Sequence, residues 1–292
     1  MADYRVIDVQ QLEGDLTAVA DAIREKTGGT EALTWPEGFV SGSREVWDAA
    51  EEEAYNRFWN QYQQNGSRTD YRFAFAGRGW SDMAKAGAFL PKYPIKPKNL
   101  YRYQDPAANM FCYFAVDAST PVDLSAVEMD FSGCTEVSNT FANCYVENIV
   151  CDFGNCWSMN RTFNANDTDR KGVNNLRLRV TETLTDASAP FLYAHQLVNL
   201  EFFGDSVIAV AGMDFGQSCK MSRTSIENVF RVLSDKTSGL CMTFNLTAVN
   251  NAFETSPGAA DGSTSQDWAA LVATKPNWSI ILEDFIPGGG IQ

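Results

Sequence analysis

Residues 129–144 read MDFSGCTEVSNTFANC, and residues 151–166 read CDFGNCWSMNRTFNAN. At an offset of 22 residues the two phrases coincide at Asp130/Asp152, Phe131/Phe153, Cys134/Cys156, Thr140/Thr162 and Phe141/Phe163. Around them, short runs place an apolar residue at every second position: Val127, Met129 and Phe131; Ile149, Cys151 and Phe153; Leu176, Leu178 and Val180; Leu200 and Phe202. The runs start at 127, 149, 176 and 200, which are spacings of 22, 27 and 24. MDFGQSC, at residues 213–219, echoes the phrase once more. One segment of this length has no second layer on which to bury its apolar side. Stacking such segments about 4.8 Å apart sets like residues over one another and makes a continuous core. A recurrence of this size predicts an α/β solenoid of the leucine-rich-repeat kind.

That stacking puts Phe131 over Phe153 and Cys134 over Cys156, and it bears on the cysteines. Four of the seven, Cys134, Cys144, Cys151 and Cys156, fall within 23 residues. Zinc ligation or a disulfide are the alternatives to a ladder of reduced thiols, in which a small buried cysteine acts as a hydrophobe. CxxC spacing is missing, so reduced and metal-free thiols are the expectation. The residues alternating with the inward set form a candidate ligand face: Asp130, Asp152, Arg177, Arg179, Glu201 and Phe203. In register, Arg179 meets Asp152 and Arg177 meets Glu201 as cross-strand ion pairs, so a solvated salt ladder is the competing reading.

Working outward, residues 10–27 place Leu12, Leu16, Val19, Ala20 and Ile23 on one helical face, closed by Gly28 and Gly29. A second helix is expected from Arg44 to Gln64, with Trp47, Tyr55, Phe58, Trp59 and Tyr62 on more than one side. Residues 67–105 are aromatic, basic and punctuated by Pro91, Pro94 and Pro97. Aromatic–basic interleaving suits a single-stranded nucleic acid, but the acidic whole favours an irregular packed cap. Beyond residue 223 the pattern reads helix, glycine turn, strand, helix, short helix and a last strand at Trp278–Leu282. The resulting division is 1–43, a helical attachment module; 44–105, a linker helix and aromatic cap; 106–223, the repeats; and 224–292, a C-terminal repeat and capping region.

The formal net charge of −14 argues against nucleic acid and anionic membrane as partners. Residues 68–102 invert that balance, with 8 basic and 2 acidic side chains. The opening MADYRVIDVQQLEG has neither the basic nor the apolar region of a signal peptide, so synthesis in the cytoplasm is expected. No stretch is apolar enough to span a bilayer. Nucleotide-binding glycine loops and the GxSxG elbow are absent, and the single histidine, His195, reads as structural. Catalytic, cofactor-binding and metal-binding residues are therefore expected to be none, although a spatial carboxylate pair for glycoside hydrolysis has no sequence signature.

Three segments also carry a resemblance: FSGCTEVSNTFANC at 131–144, SIENVFRVLSDKTSGLCMTFNLTAVNNAFE at 225–254, and WAALVATKPNW at 268–278. They resemble the BspA-like branch of leucine-rich repeats. More closely, they resemble tail-associated proteins of phages and prophages of Gram-positive bacteria, in which a module similar to LTAVADAIREKTGGTEAL, here 16–33, precedes the repeats. The resemblance implies a virion part at the tail tip, baseplate or fibre. Other tail proteins and further copies of the chain would be its partners, a trimer favoured, and a host surface glycan or protein a potential receptor. It brings no catalytic residue and no cofactor. A bacterial surface adhesin of the same repeat class and a wall-polysaccharide hydrolase are the alternative readings.

Overall fold

A computed structural model describes residues 17, 19–25, 69–76, 94–100, 104–116, 118–165, 171–236, 238–253 and 265–283. The chain divides into two compact units, Met1–Tyr62 and Gln63–Gln292. In the first, residues 19–25 are helical, with Ala20 and Ile23 buried three apart while Val19 of the expected apolar face is 48% exposed. The expected second helix, the Gly28–Gly29 stop and the tail beyond Pro287 lie outside the described residues. Of the 67–105 aromatics, so do Trp80, Phe89, Tyr93, Tyr101 and Tyr103.

The second unit is built from parallel pairings. Strands β1 (Val146–Asp152), β2 (Val173–Arg179) and β3 (Asn199–Phe202) form one parallel sheet in chain order. Register sets Ile149, Leu176 and Leu200 in one row across the sheet, and Cys151, Leu178 and Phe202 in another, all buried. A second parallel pair joins β4 (Leu240–Asn245) to β5 (Trp278–Glu283). Neither sheet closes. Isolated parallel bridges join Ile95 to Met129, Glu136 to Ser158, Ser158 to Asp186 and Phe215 to Phe244. Among the described residues no helix is long and apolar enough to cross a membrane.

The expected run at Val127–Phe131 is not a strand. It makes bridges at Met129 and Gly133 toward Ile95 and Lys98, with a turn at 125–127 before it. The cause is an insertion. Leu124 donates to Asn148 O and Phe131 packs on Phe153, so seven positions in one segment answer to five in the next. The extra residues loop out, held by Ser125 N donating to Asp123 Oδ1 at 2.8 Å and Val127 N donating to Leu124 O at 3.0 Å.

Opposite the sheet, aromatic rings stack. Centroids of Phe75, Phe111, Phe141, Phe163, Phe191 and Phe215 succeed one another at 4.9, 5.2, 5.6, 5.5 and 4.7 Å. Phe131 and Phe153 form a second column, 4.9 Å apart. The echo at 213–219 departs from expectation: Phe215 packs on Phe191 and Phe244, in the Phe141/Phe163 column rather than that of Phe131/Phe153.

Small polar residues in the duplicated phrases satisfy the backbone between segments. Thr140 Oγ1 donates to Ala107 O at 3.0 Å and Thr162 Oγ1 to Val137 O at 2.7 Å. Cys134 Sγ reaches Pro97 O at 3.4 Å, and Cys156 Sγ reaches Cys134 O at 3.5 Å. Burial pushes the thiols of Cys134, Cys144, Cys151 and Cys156 up, and all seven cysteines are free. A threonine or cysteine fits beneath a neighbouring carbonyl where a longer donor would not.

The aromatic column rests on a repeated backbone device. Phe73, Asn109, Asn139, Arg161 and Ala189 all have φ between 51° and 55°, and each lies two residues before a column phenylalanine. Asn139 N and Phe141 N both donate to the next segment, at Asn160 O and Thr162 O, and Arg161 N and Phe163 N do the same at Ser188 O and Pro190 O. A left-handed conformation costs a residue with a Cβ about 1–2 kcal/mol. At Ala189, glycine removes that cost but enlarges the unfolded ensemble, so Ala189→Gly should stabilise by roughly 0.5–1 kcal/mol. Ala189→Val, β-branched at positive φ, should destabilise by about 2 kcal/mol. Urea unfolding of the pair checks the opposite signs.

Helix α1 (Arg223–Val232), capped by Ser222 accepting from Ser225 N, stands beside β3 where another strand would pair. Its Ser225 Oγ accepts from Leu200 N at 2.8 Å and donates to Val198 O at 2.9 Å, and Arg231 Nη2 donates to Phe202 O at 2.5 Å. The exposed edge of a sheet is thereby closed by side chains. Gly239, at φ +75°, turns the chain into β4, and α2 (Leu246–Phe253) and α3 (Gln266–Ala273) follow. Trp268 of α3 packs edge-on against Phe230 and Phe244 at 5.7 and 6.1 Å, ending the aromatic column.

Candidate functional site on the outer face of the three-stranded sheet

Because β1 and β2 share one burial pattern, their outward residues line up in rows across the sheet. The first row is Asn148, Asn175 and Asn199; the second is Val150, Arg177 and Glu201; the third runs from Asp152 to Arg179.

In the third row Arg179 Nη1 donates to both oxygens of Asp152, at 2.9 and 3.2 Å, and Nε donates to Asp205 Oδ1 at 2.7 Å. The guanidinium, held between two carboxylates, has its pKa raised, first by the hydrogen bond to Asp205 and then by that to Asp152. It lies across Gly154: a Cβ there would fall 2.2 Å from Nη1. Gly154→Ala should therefore push Arg179 off Asp152 and cost about 0.5–1 kcal/mol, the scale of an exposed ion pair. In an Arg179→Ala background the same change should cost close to nothing, and a double-mutant cycle by thermal unfolding measures the difference.

The second row holds the other expected pair. Arg177 Nε donates to Glu201 Oε2 at 3.0 Å and Nη2 to Oε1 at 3.3 Å, while the guanidinium lies 5.5 Å from the Phe203 ring centroid. Arg177, Glu201 and Phe203 thus form one group; Arg179 and Asp152 form another, with Asp205. Asp130 joins neither. Its Oδ1 accepts from Ser132 N at 2.9 Å, and hydrogen bonds from Ser132, followed by nearby Lys96, hold its carboxyl below the usual range. Asp152 and Asp214 make the same turn with Gly154 N and Gly216 N, at 2.9 and 2.7 Å. The aspartate before each phenylalanine is thus a turn residue as well as a face residue.

The asparagine row is absent from the expected face. Ser222 Oγ donates to Asn199 Oδ1 at 3.2 Å, Asn199 Nδ2 to Asn175 Oδ1 at 2.7 Å, and Asn175 Nδ2 to Asn148 Oδ1 at 2.9 Å. Asn175 Nδ2 also donates to Glu147 Oε1 at 2.9 Å, and Asn174 Nδ2 to Glu147 Oε2 at 2.7 Å. The chain of amides ends at Asp123, whose carboxyl is held low by Ser125 first and by Asn148 last. A signal existed: an asparagine directly precedes Ile149, Leu176 and Leu200, the first inward residue of each run.

The first two rows floor an open groove of about 580 Å³, walled at one side by the Ser125 turn. Away from the groove, His195 is buried with Nδ1 2.9 Å from Gln217 O, bracing two segments. Among the described residues no three His, Cys, Asp or Glu side chains are placed to hold one metal ion. Comparison with protein-family profiles, with curated proteins and with solved structures returned no match.

Proposed function

We propose that this chain is a non-enzymatic structural protein of a phage tail, at the tip, baseplate or fibre. In this reading residues 106–223 form a leucine-rich-repeat solenoid of the BspA-like branch, and residues 224–292 its C-terminal repeat and cap. The helical module at the N-terminus tethers copies to one another or to the particle, with three-fold association favoured, and the sheet face turns outward toward a host surface. The observation that carries it is the in-register stacking of the duplicated phrases, Phe131 on Phe153 at 4.9 Å and Phe141 on Phe163 at 5.6 Å, in a chain whose segments follow the order of those tail proteins. Both arginines of the face are engaged with carboxylates of the same face, as suits a binding or structural surface.

Immunogold electron microscopy of particles from the host strain tests the assignment. Label at one end of the tail is the expected result. Label on the bacterial envelope with bare particles would favour the surface adhesin, and clearing of a host-wall suspension by the purified chain would favour the hydrolase.

A further inference from the structure

We propose that the groove across β1–β3 binds a neutral, hydroxyl-rich chain, an oligosaccharide, with the asparagine row as its floor. The proposal rests on the outward-facing sheet of the preceding section and names the class of ligand that sheet takes. Its volume, about 580 Å³, suits a small ligand or a few units of a longer one.

The charge pattern selects against ionic ligands. Arg177 is matched to Glu201, and Glu147 is held by the Asn174 and Asn175 amides. An anion would have to draw Arg177 away from its carboxylate on a face that also carries Asp123, Asp152 and Asp205. What the groove has to spare is neutral capacity. Only two of the five N–H groups of Arg177 are engaged by Glu201, and the amide of Asn199 spends one of its two on Asn175. Hydroxyl groups, each a donor and an acceptor, complement such planar amide and guanidinium groups without a net charge.

The shape selects against a peptide. Peptide grooves on sheets use a free strand edge or pockets for alternate side chains. Here β1 and β3 have neighbours on their outer sides, through Val122 and α1. Ile149 and Leu176 turn into the core at 1% exposure, leaving Val150, 38% exposed, as the apolar contact for the C–H side of a sugar ring. The amides recur at the strand spacing of about 4.8 Å, a periodic floor for a ligand that is itself a repeating polymer.

The test is calorimetric titration of the full chain with neutral hexasaccharides of glucose, mannose, galactose, rhamnose and N-acetylglucosamine, together with poly(glycerol phosphate), oligolysine and an uncharged serine–glycine peptide. At least one neutral series should bind saturably and shift the side-chain amide signals of Asn148, Asn175 and Asn199 in NMR spectra. Val150→Asp, which removes the apolar contact at an exposed position, should weaken that binding by at least about tenfold with the melting temperature little changed, and Arg177→Gln should weaken it as well. Failure of every neutral series, binding to the charged polymers or the peptide alone, or affinity untouched by both variants would overturn the proposal. A chain that binds oligosaccharide but is absent from particles would fail the tail assignment alone; one present in tails that binds none would fail the groove alone.

Discussion

Phe163→Ala is expected to lower the unfolding free energy by about 3–5 kcal/mol, the usual range for truncating a buried aromatic. Phe163 is 2% exposed and sits at a crossing of the two columns, with ring centroids of Phe141, Phe191 and Phe153 at 5.6, 5.5 and 6.0 Å. Its removal leaves a cavity between segments whose backbones are fixed at one spacing by Phe163 N donating to Pro190 O and by Phe141 N donating to Thr162 O. Those bonds resist the collapse that would fill the void, so the cost should fall in the upper part of the range. Urea unfolding reads the loss directly. Combining Phe163→Ala with Phe141→Ala should cost less than the two singles together, since each loses the same stacked contact. A loss under about 1 kcal/mol would mean that the columns are not what holds the segments together.

Ser225→Ala is expected to cost about 1–3 kcal/mol, more than one hydroxyl on a helix usually contributes. The side chain is 2% exposed, accepts from Leu200 N and donates to Val198 O. Alanine would leave Leu200 N beneath α1 without the serine oxygen, at a desolvation cost of about 1–3 kcal/mol, while Val198 O keeps its bond from Ser222 N at 2.9 Å. Ser225 also shares a hydroxyl contact of 2.9 Å with the cap residue Ser222, which in turn donates to Asn199 at the head of the amide row. Hydrogen exchange at Leu200 supplies a local readout: its amide should lose protection in the variant while those of Leu176 and Ile149 keep theirs. Ser225→Thr should retain most of the stability if its γ-oxygen keeps the same rotamer. Equal behaviour of alanine and serine would remove α1 from its role as the closing edge of the sheet.

Much of the face was legible in the residues. Alternation told inward from outward, because the side-chain period of a strand is two; Leu176 and Leu178 are buried and Arg177 is exposed as the pattern requires. The spacing of the runs placed Arg177 against Glu201 and Arg179 against Asp152, and both pairs form. The duplicated phrases matched Phe131 to Phe153 and Cys134 to Cys156, and the contacts between them follow.

The sequence by itself determined which side each residue takes, because that is a local matter of backbone period and of transfer from water. Where the spacing of the repeats is broken, only the tertiary structure decided which segments are neighbours and at what register. A loop of a few residues at 125–127 dissolves the Val127 strand, although its alternation is as regular as that of β1. Phe215 carries the aspartate–phenylalanine phrase into the opposite column, since an Asp-anchored turn closes in the same way on either side of the stack. The asparagine row is a chain of contacts across offsets of 24 and 27 residues, and a polar residue before an apolar one states no partner until the strands are set side by side. Helix α1 takes a strand's place for the same reason: its serine and arginine read as ordinary helix residues until the unpaired edge of β3 is beside them.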